Sequence, residues 1–247
     1  MGQEIHKENP KDRRKTQDAT RAGHRKRLRE RLRRGGHTAL HDYELLELIL
    51  FRALPRRDVK PLARHLLDQF GDLSGVLSAP EPRLLEVSGI GPEVITEFRL
   101  IEAAALNFGQ SKIMHKPALA NWNQMINYCR AKIAEKNKEE FHVLFLDKKN
   151  HIIADEMMGM GTVDHAPVYP REVIKRALEL SASALILVHN HPSGDPTPSK
   201  ADIDMTNKLY TLASQFNIVV HDHLIIGRVS EVSFKNLGLL EAPAPDF

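Results

Sequence analysis

Residues 185–204, LILVHNHPSGDPTPSKADID, constrain what this chain can fold into more than any other stretch. A short apolar run, Leu185 to Val188, turns abruptly into His189, Asn190 and His191. Such a run reads as a buried strand. Alternation along a strand sends His189 and His191 to one face and Asn190 to the other. Pro192, Gly194, Pro196 and Pro198 then forbid regular structure. Ser199 opens a helical pattern that extends to about residue 216, with Asp202 in its first turn. Two imidazoles and a carboxylate gathered across a stiff loop are enough protein ligands for a catalytic zinc, with a fourth position left for water. Ser199 and Asp202 also spell the S-x-x-D of a capping box, which needs no metal.

The rest of the chain must support that element. With 247 residues it accommodates one large domain or two modest ones. The single cysteine, Cys129, excludes an internal disulfide and reads as a small core residue. No apolar run approaches the roughly 20 residues of a membrane span, and the polar N-terminus lacks the apolar segment of a signal peptide. The expected location is the cytoplasm, with no membrane partner. The net charge of +3 is uneven: residues 1–34 hold thirteen Lys or Arg and five Asp or Glu, a net of +8, which leaves the remainder at −5.

Composition divides the chain into four parts. Residues 1–40 form a basic, partly disordered arm, in which residues 1–22 lack apolar periodicity and residues 23–34 make a short basic helix. Arg25, Arg27, Arg29 and Arg33 on that helix suit a nucleic-acid backbone through counterion release; a solvated tail has the same composition. Residues 41–108 are short, strongly apolar helices: Asp42 caps one through Phe51, Asp58 another through Phe70, and a long helix runs from Glu93 to about Phe108. Residues 109–118, with Gly109 and Pro117, read as a linker. Residues 119–247 read as a mixed α/β domain: an amphipathic helix with Trp122 and Cys129 inward, a hairpin of two strands around Asp147–Asn150, a loop from Gly159 through Thr162 to Pro167, a helix from Pro170, the opening strand, and a last long strand to Ile226.

Two resemblances follow from these residues. Leu84, Val87, Gly89, Ile90 and Gly91 resemble a helix-hairpin-helix module, whose Gly-hydrophobic-Gly turn offers N–H groups to a DNA phosphate; Glu93 and Ile95 depart from its pattern. His189-x-His191, seven residues, Ser199, two residues and Asp202 match H-x-H-x(7)-S-x(2)-D, the JAMM signature of MPN or JAB domains. The wording VHNHPSGDPTPSKADI, with PREV at 170–173, DHLIIG at 222–227 and GHRKRL and DYELLELIL near the start, is similar to the RadC branch over about residues 23–240. The resemblance implies a mixed sheet flanked by helices, with a cytidine-deaminase-like layout, preceded by a small all-α domain. It further implies Zn2+ held by His189, His191 and Asp202, with Ser199 on the oxyanion side. A glutamate upstream serves as base. Glu139 and Glu140 both stand at the entrance of the first strand, on opposite faces by alternation, and the branch's Glu-x-Phe pattern selects Glu139.

Two functions compete. One is a zinc-dependent hydrolase of amide, peptide or isopeptide bonds acting on a protein or peptide. The other is a DNA-binding protein of repair or recombination, using the arm with Gly89 and Gly91, whose metal domain is structural or regulatory. The contiguous letters HNH at 189–191 are no nuclease motif, since HNH nucleases spread those residues apart. His221-x-His223 lies within an apolar run and reads as hydrogen-bonded in the sheet or behind a metal ligand. Neither the substrate nor the oligomeric state follows from the residues.

Overall fold

The structure, a computed structural model, describes residues 10–161 and 167–240, with side chains described from residue 23. Residues 1–9 and the expected loop residue Thr162 lie outside the described residues. The chain divides into two compact units after Glu102. No helix among the described residues is long and apolar enough to cross a membrane.

The first unit is helical: α1 (Pro10–Gly35), α2 (Asp42–Ala53), α3 (Lys60–Phe70), α4 (Leu73–Ser78), α5 (Glu81–Leu85) and the start of α6 (Pro92–Ile113). Its apolar positions recur at helical spacing and meet in one core, where Leu46, Leu50, Leu66, Val76, Leu84 and Phe98 are fully buried. Three sequence expectations need correction. Helix α1 starts at Pro10, not Gly23, because Pro suits the first helical position and the Lys, Arg, Gln and Ala that follow favour helix without an apolar face. From residue 23 this segment is no free arm: Leu28 is buried in the core, and Arg31 forks onto Glu44 at 2.6 and 3.0 Å. The start of α2 is fixed one residue earlier than expected, at His41, whose N–H donates to Glu44 at 3.1 Å.

The expected linker at 109–118 is also structured. Helix α6 runs through Gly109 to Ile113, since one glycine costs a helix only about 1 kcal/mol. The missing side chain is used, because the Tyr128 ring lies 3.2 Å from where a Cβ would stand. Met114 and Pro117 then bridge to Ile152 and His151.

The second unit adds α7 (Trp122–Ile133), β1 (Glu140–Leu146), β2 (Ile152–Met160), α8 (Pro170–Glu179), β3 (Ala184–Asn190), α9 (Lys200–Ser214), β4 (Val219–Ile226) and β5 (Glu231–Ser233). Among the described residues the strands form one mixed sheet in the order β2-β1-β3-β4-β5. The tight turn at Asp147–Asn150 makes β1 and β2 antiparallel, whereas the crossover through α9 makes β3 and β4 parallel. Helix α7 covers one face, burying Met125, Cys129 and Ile133 against Leu144, Ile186 and Val188. Helices α8 and α9 cover the other, burying Val173, Ala177 and Leu209 against Val143, Leu185 and Leu187. This is a helical part followed by an α/β domain with helices on both faces of a mixed sheet. The row Leu185, Leu187, His189 shares one face of β3, so the first imidazole emerges on the α8/α9 side.

Candidate metal centre

The centre is built where β3 ends and α9 begins. After His191 the chain turns at Gly194, whose N–H donates to the His191 carbonyl at 2.9 Å and whose φ of 90° suits glycine. Asp195 steadies the next step by accepting from the Thr197 N–H (3.0 Å) and hydroxyl (2.7 Å). Gly227 lets this loop close down, for a Cβ there would meet the Gly194 carbonyl at 2.4 Å. Ser199 caps α9: its Oγ accepts the Asp202 N–H at 3.2 Å, and Asp202 Oδ2 accepts the Ser199 N–H (2.8 Å) and hydroxyl (2.6 Å). The capping box therefore aims Asp202 at the imidazoles. His189 Nε2 lies 3.0 Å from His191 Nε2 and 3.3 Å from Asp202 Oδ1, and His191 Nε2 lies 3.4 Å from Asp202 Oδ2.

The remaining nitrogens of these rings decide what the centre can hold. His191 Nδ1 faces the Asp195 carbonyl at 2.8 Å, and a carbonyl only accepts, so Nδ1 carries a proton. For His189 the proton is traced through three groups. The Thr206 hydroxyl donates to the Asp202 carbonyl (2.6 Å), so its oxygen accepts from His223 Nδ1 (2.6 Å). His223 Nε2 is then a bare acceptor and takes the proton of His189 Nδ1 at 2.8 Å. His223 is fully buried, and burial pushes its basicity well below that of an ordinary imidazole, which keeps it neutral. Both Nε2 atoms thus turn lone pairs toward one point beside a carboxylate.

Lone pairs 3.0 Å apart repel unless a cation lies between them or an imidazole takes a second proton. The hydrogen bond to Asp202 favours the protonated form of His191, opposed by burial and helped by the Asp195 carbonyl and the charges of Asp202 and Glu139. Burial alone would raise Asp202, but its bonds to His189, His191 and Ser199 hold it far below the usual carboxylate range. Either proton or metal can supply the positive charge. A tetrahedral site with ligand bonds of about 2.0 to 2.1 Å has edges of about 3.3 Å, and one ligand atom from each of the three residues lies within 4.8 Å of the others, a cluster compact enough for a metal ion. This His-His-Asp group can hold a metal ion.

Glu139 is buried at the mouth of β1. It lies just ahead of β1, whose register pairs Phe141 with His189, and its charge acts on His191. Glu140 points the other way and meets His142 Nε2 at 3.1 Å. Asn190, which faces away from the imidazoles, clamps this entrance: its Oδ1 accepts the Glu140 N–H at 2.8 Å and its Nδ2 donates to the Lys138 and Lys136 carbonyls at 3.1 and 3.3 Å. The Glu139 carbonyl accepts the Gly161 N–H at 2.9 Å. Asn190 and Thr206 were not singled out in the sequence; their polarity at buried positions of a strand and a helix was the available signal. In the second H-x-H, His221 bonds Asn150 (2.6 Å), while Asp222 accepts the Ser233 hydroxyl (2.5 Å) and the Lys235 N–H (3.0 Å).

The residues considered for nucleic acid lie in the first unit. Arg25 is engaged there, donating to the Pro55 and Arg57 carbonyls and stacking on Phe51 at 4.3 Å. Arg27, Arg29 and Arg33 are exposed on α1. Gly89, at φ 95°, and Gly91 form the turn before α6.

Residues 119–239 match the model of the RadC-like JAB domain, and residues 20–96 match that of the UPF0758 N-terminal region. A UPF0758 protein of Rhodobacter capsulatus is 59% identical over 213 residues, covering 86% of this chain and 100% of the relative. One of Ruegeria pomeroyi is 56% identical over 217 residues, covering 88% and 97% respectively.

Proposed function

Because the chain belongs to the RadC-like UPF0758 family, and because two imidazole lone pairs converge beside Asp202, we propose that it is a JAMM-type zinc hydrolase of amide bonds, in peptide or isopeptide linkage. The convergence of the His189 and His191 lone pairs carries this reading. Bound by His189, His191 and Asp202, zinc would acidify a water toward a pKa of about 7 and polarise the scissile carbonyl. Glu139, buried beside this group, would take that water's proton and pass it to the leaving nitrogen. Ser199 Oγ–H, directed at Asp202 in this structure, would serve as the donor to the oxyanion that develops on the attacked carbonyl. Asn190 keeps the Glu139 segment in register with His191.

The reading is tested by zinc analysis of the wild type beside His189→Ala and Asp202→Ala, together with peptide and isopeptide substrates. One zinc per chain, lost in both variants, is expected. A wild type that binds no zinc, or a His189→Ala protein with unchanged zinc, overturns it.

A second reading, DNA binding by the first unit, is favoured by Arg29 and Arg33, exposed four residues apart on one side of α1. Affinity that falls steeply with salt and drops on Arg29→Glu with Arg33→Glu is expected. Absence of binding at low salt refutes it.

A further inference from the structure

In the first unit Arg31, Arg52 and Arg99 each pair with a glutamate. Four other cations there form no ion pair among the described residues: Arg27 on α1, Arg57 in the turn before α3, and Lys60 and Arg64 one turn apart on α3. Arg27, Arg57 and Lys60 line one cavity of about 270 Å³. The two carboxylates that also line it are engaged elsewhere, Glu47 with the His24 ring at 2.7 Å and Asp58 with the Lys60 N–H at 3.2 Å. Lys60 joins this cavity to an aromatic pair. Its Nζ lies 5.7 Å from the centre of the Tyr43 ring, and the Arg64 guanidinium lies 5.3 Å from the same centre. The exposed His41 ring stacks on Tyr43, with planes 9° apart and centres 6.0 Å apart. Cation–ring contacts at exposed sites are weak, so both cations are free to exchange the ring for a stronger anion.

Two parallel rings set among unpaired cations suit a ligand that brings flat faces together with repeated negative charge. We infer that α1, α2 and α3 present this face to single-stranded nucleic acid, its phosphates at Arg27, Arg57, Lys60 and Arg64 and a base stacked with the His41–Tyr43 pair. The inference rests on the reading of the first unit as a DNA-binding part and narrows it to unpaired strands. A duplex offers the same phosphates but keeps its base faces inside the stack, so the rings would gain nothing from it. An acidic peptide matches the charge and leaves the rings without a planar partner. Single strands of DNA and RNA share the chemistry this face reads.

Fluorescence anisotropy of the full chain tests the inference, with labelled oligothymidylate of about 12 nucleotides beside oligouridylate, an abasic strand and a duplex of equal length, and poly-glutamate as competitor. Oligothymidylate or oligouridylate is expected to bind about tenfold or more tighter than the abasic strand, which carries the charge without the bases. The tighter of the two assigns DNA or RNA. Tyr43→Ala should bring binding down to the abasic level, and Tyr43→Phe should keep it. Arg57→Ala with Arg64→Ala, at exposed positions, should weaken the base-bearing and abasic strands alike and flatten the log–log salt slope by about 1.4. The inference is overturned if the abasic strand binds as well as the others, if poly-glutamate displaces the strand as well as unlabelled oligothymidylate does, or if a folded Tyr43→Ala protein binds like the wild type. Should that variant fail to fold, the abasic comparison decides. Duplex binding that Arg29→Glu with Arg33→Glu abolishes and Tyr43→Ala spares keeps the DNA-binding reading and overturns this inference. Absence of binding to every nucleic acid at low salt overturns both.

Discussion

His189 Nδ1 and His223 Nε2 meet at 2.8 Å in the interior of the sheet, and this contact determines which nitrogen His189 offers at the centre. His223 is held in turn by Thr206, whose hydroxyl ends on the backbone carbonyl of Asp202. The chain of donors starts at one proposed ligand and closes on another, so the ring orientation of His189 and the start of α9 are fixed together.

Thr206→Val removes the acceptor for His223 Nδ1 while preserving shape. Zinc affinity, measured by competition with a chromogenic chelator, is expected to fall about tenfold to a hundredfold, the usual cost of losing an outer partner of a metal ligand. Thr206→Ser restores the acceptor and should restore affinity. Equal affinity in Thr206→Val and the wild type would show that the chain does not hold the ring.

The two glutamates at the strand entrance are separated by a paired comparison. Glu139→Gln should retain zinc and lose hydrolysis by about 10² to 10⁴. Glu140→Gln should keep both, since Glu140 serves His142 on the opposite face. Loss of turnover in the Glu140 variant with Glu139→Gln active would reverse the assignment.

Asn190 links catalysis to stability. It is fully buried, and Asn190→Ala strands the Glu140 N–H and takes a donor from the Lys136 and Lys138 carbonyls. A loss of about 2 kcal/mol or more in urea unfolding is expected. Hydrolysis should fall while zinc content stays, because the variant displaces Glu139 and not the ligands.

The parts of this site that could be read from the chain are those whose geometry is local. Alternation places His189 beside Leu185 and Leu187, and the spacing of Ser199 to Asp202 is that of a helix cap, so three groups within 14 positions could be brought together without a tertiary fold. The second H-x-H could be read as standing in the sheet behind a ligand, as His223 does, but Thr206 and the choice of His189 as its partner were hidden, because only the parallel pairing of β3 with β4 brings residues 34 positions apart into contact. The docking of α1 was hidden for another reason. Glu44 and Glu47 look like the solvated side of an amphipathic helix, yet both are buried, one under Arg31 and one under His24. Helix α6 outran its expected end because Gly109 is a weak stop when an aromatic ring uses the space it leaves.

A pH dependence of stability arises on the other face of the sheet, away from the centre. The Asp155 side chain is 1% exposed and accepts from Tyr128 (2.5 Å) and Lys132 (2.7 Å). Its other oxygen lies 3.5 Å from His142 Nδ1, an ion-pair distance too long for a good hydrogen bond. Burial alone would raise its pKa, but His142, Lys132 and Tyr128 hold it at about 2, below the ordinary 3.8. A depressed carboxylate contributes stability that is fully present above the unfolded value and lost as pH falls from about 4 to about 2, here about 2 kcal/mol. His142 runs the other way: burial lowers its pKa, but Asp155 and Glu140 raise it above 6.5, so its contribution is complete below that value and is lost as pH rises through the folded one. Urea unfolding across pH should show a stability maximum between these limbs. Asp155→Asn takes its own share, about 2 kcal/mol, out of the acid limb and removes the partner that raises His142. A variant with the wild-type pH profile would show that this network does not set it.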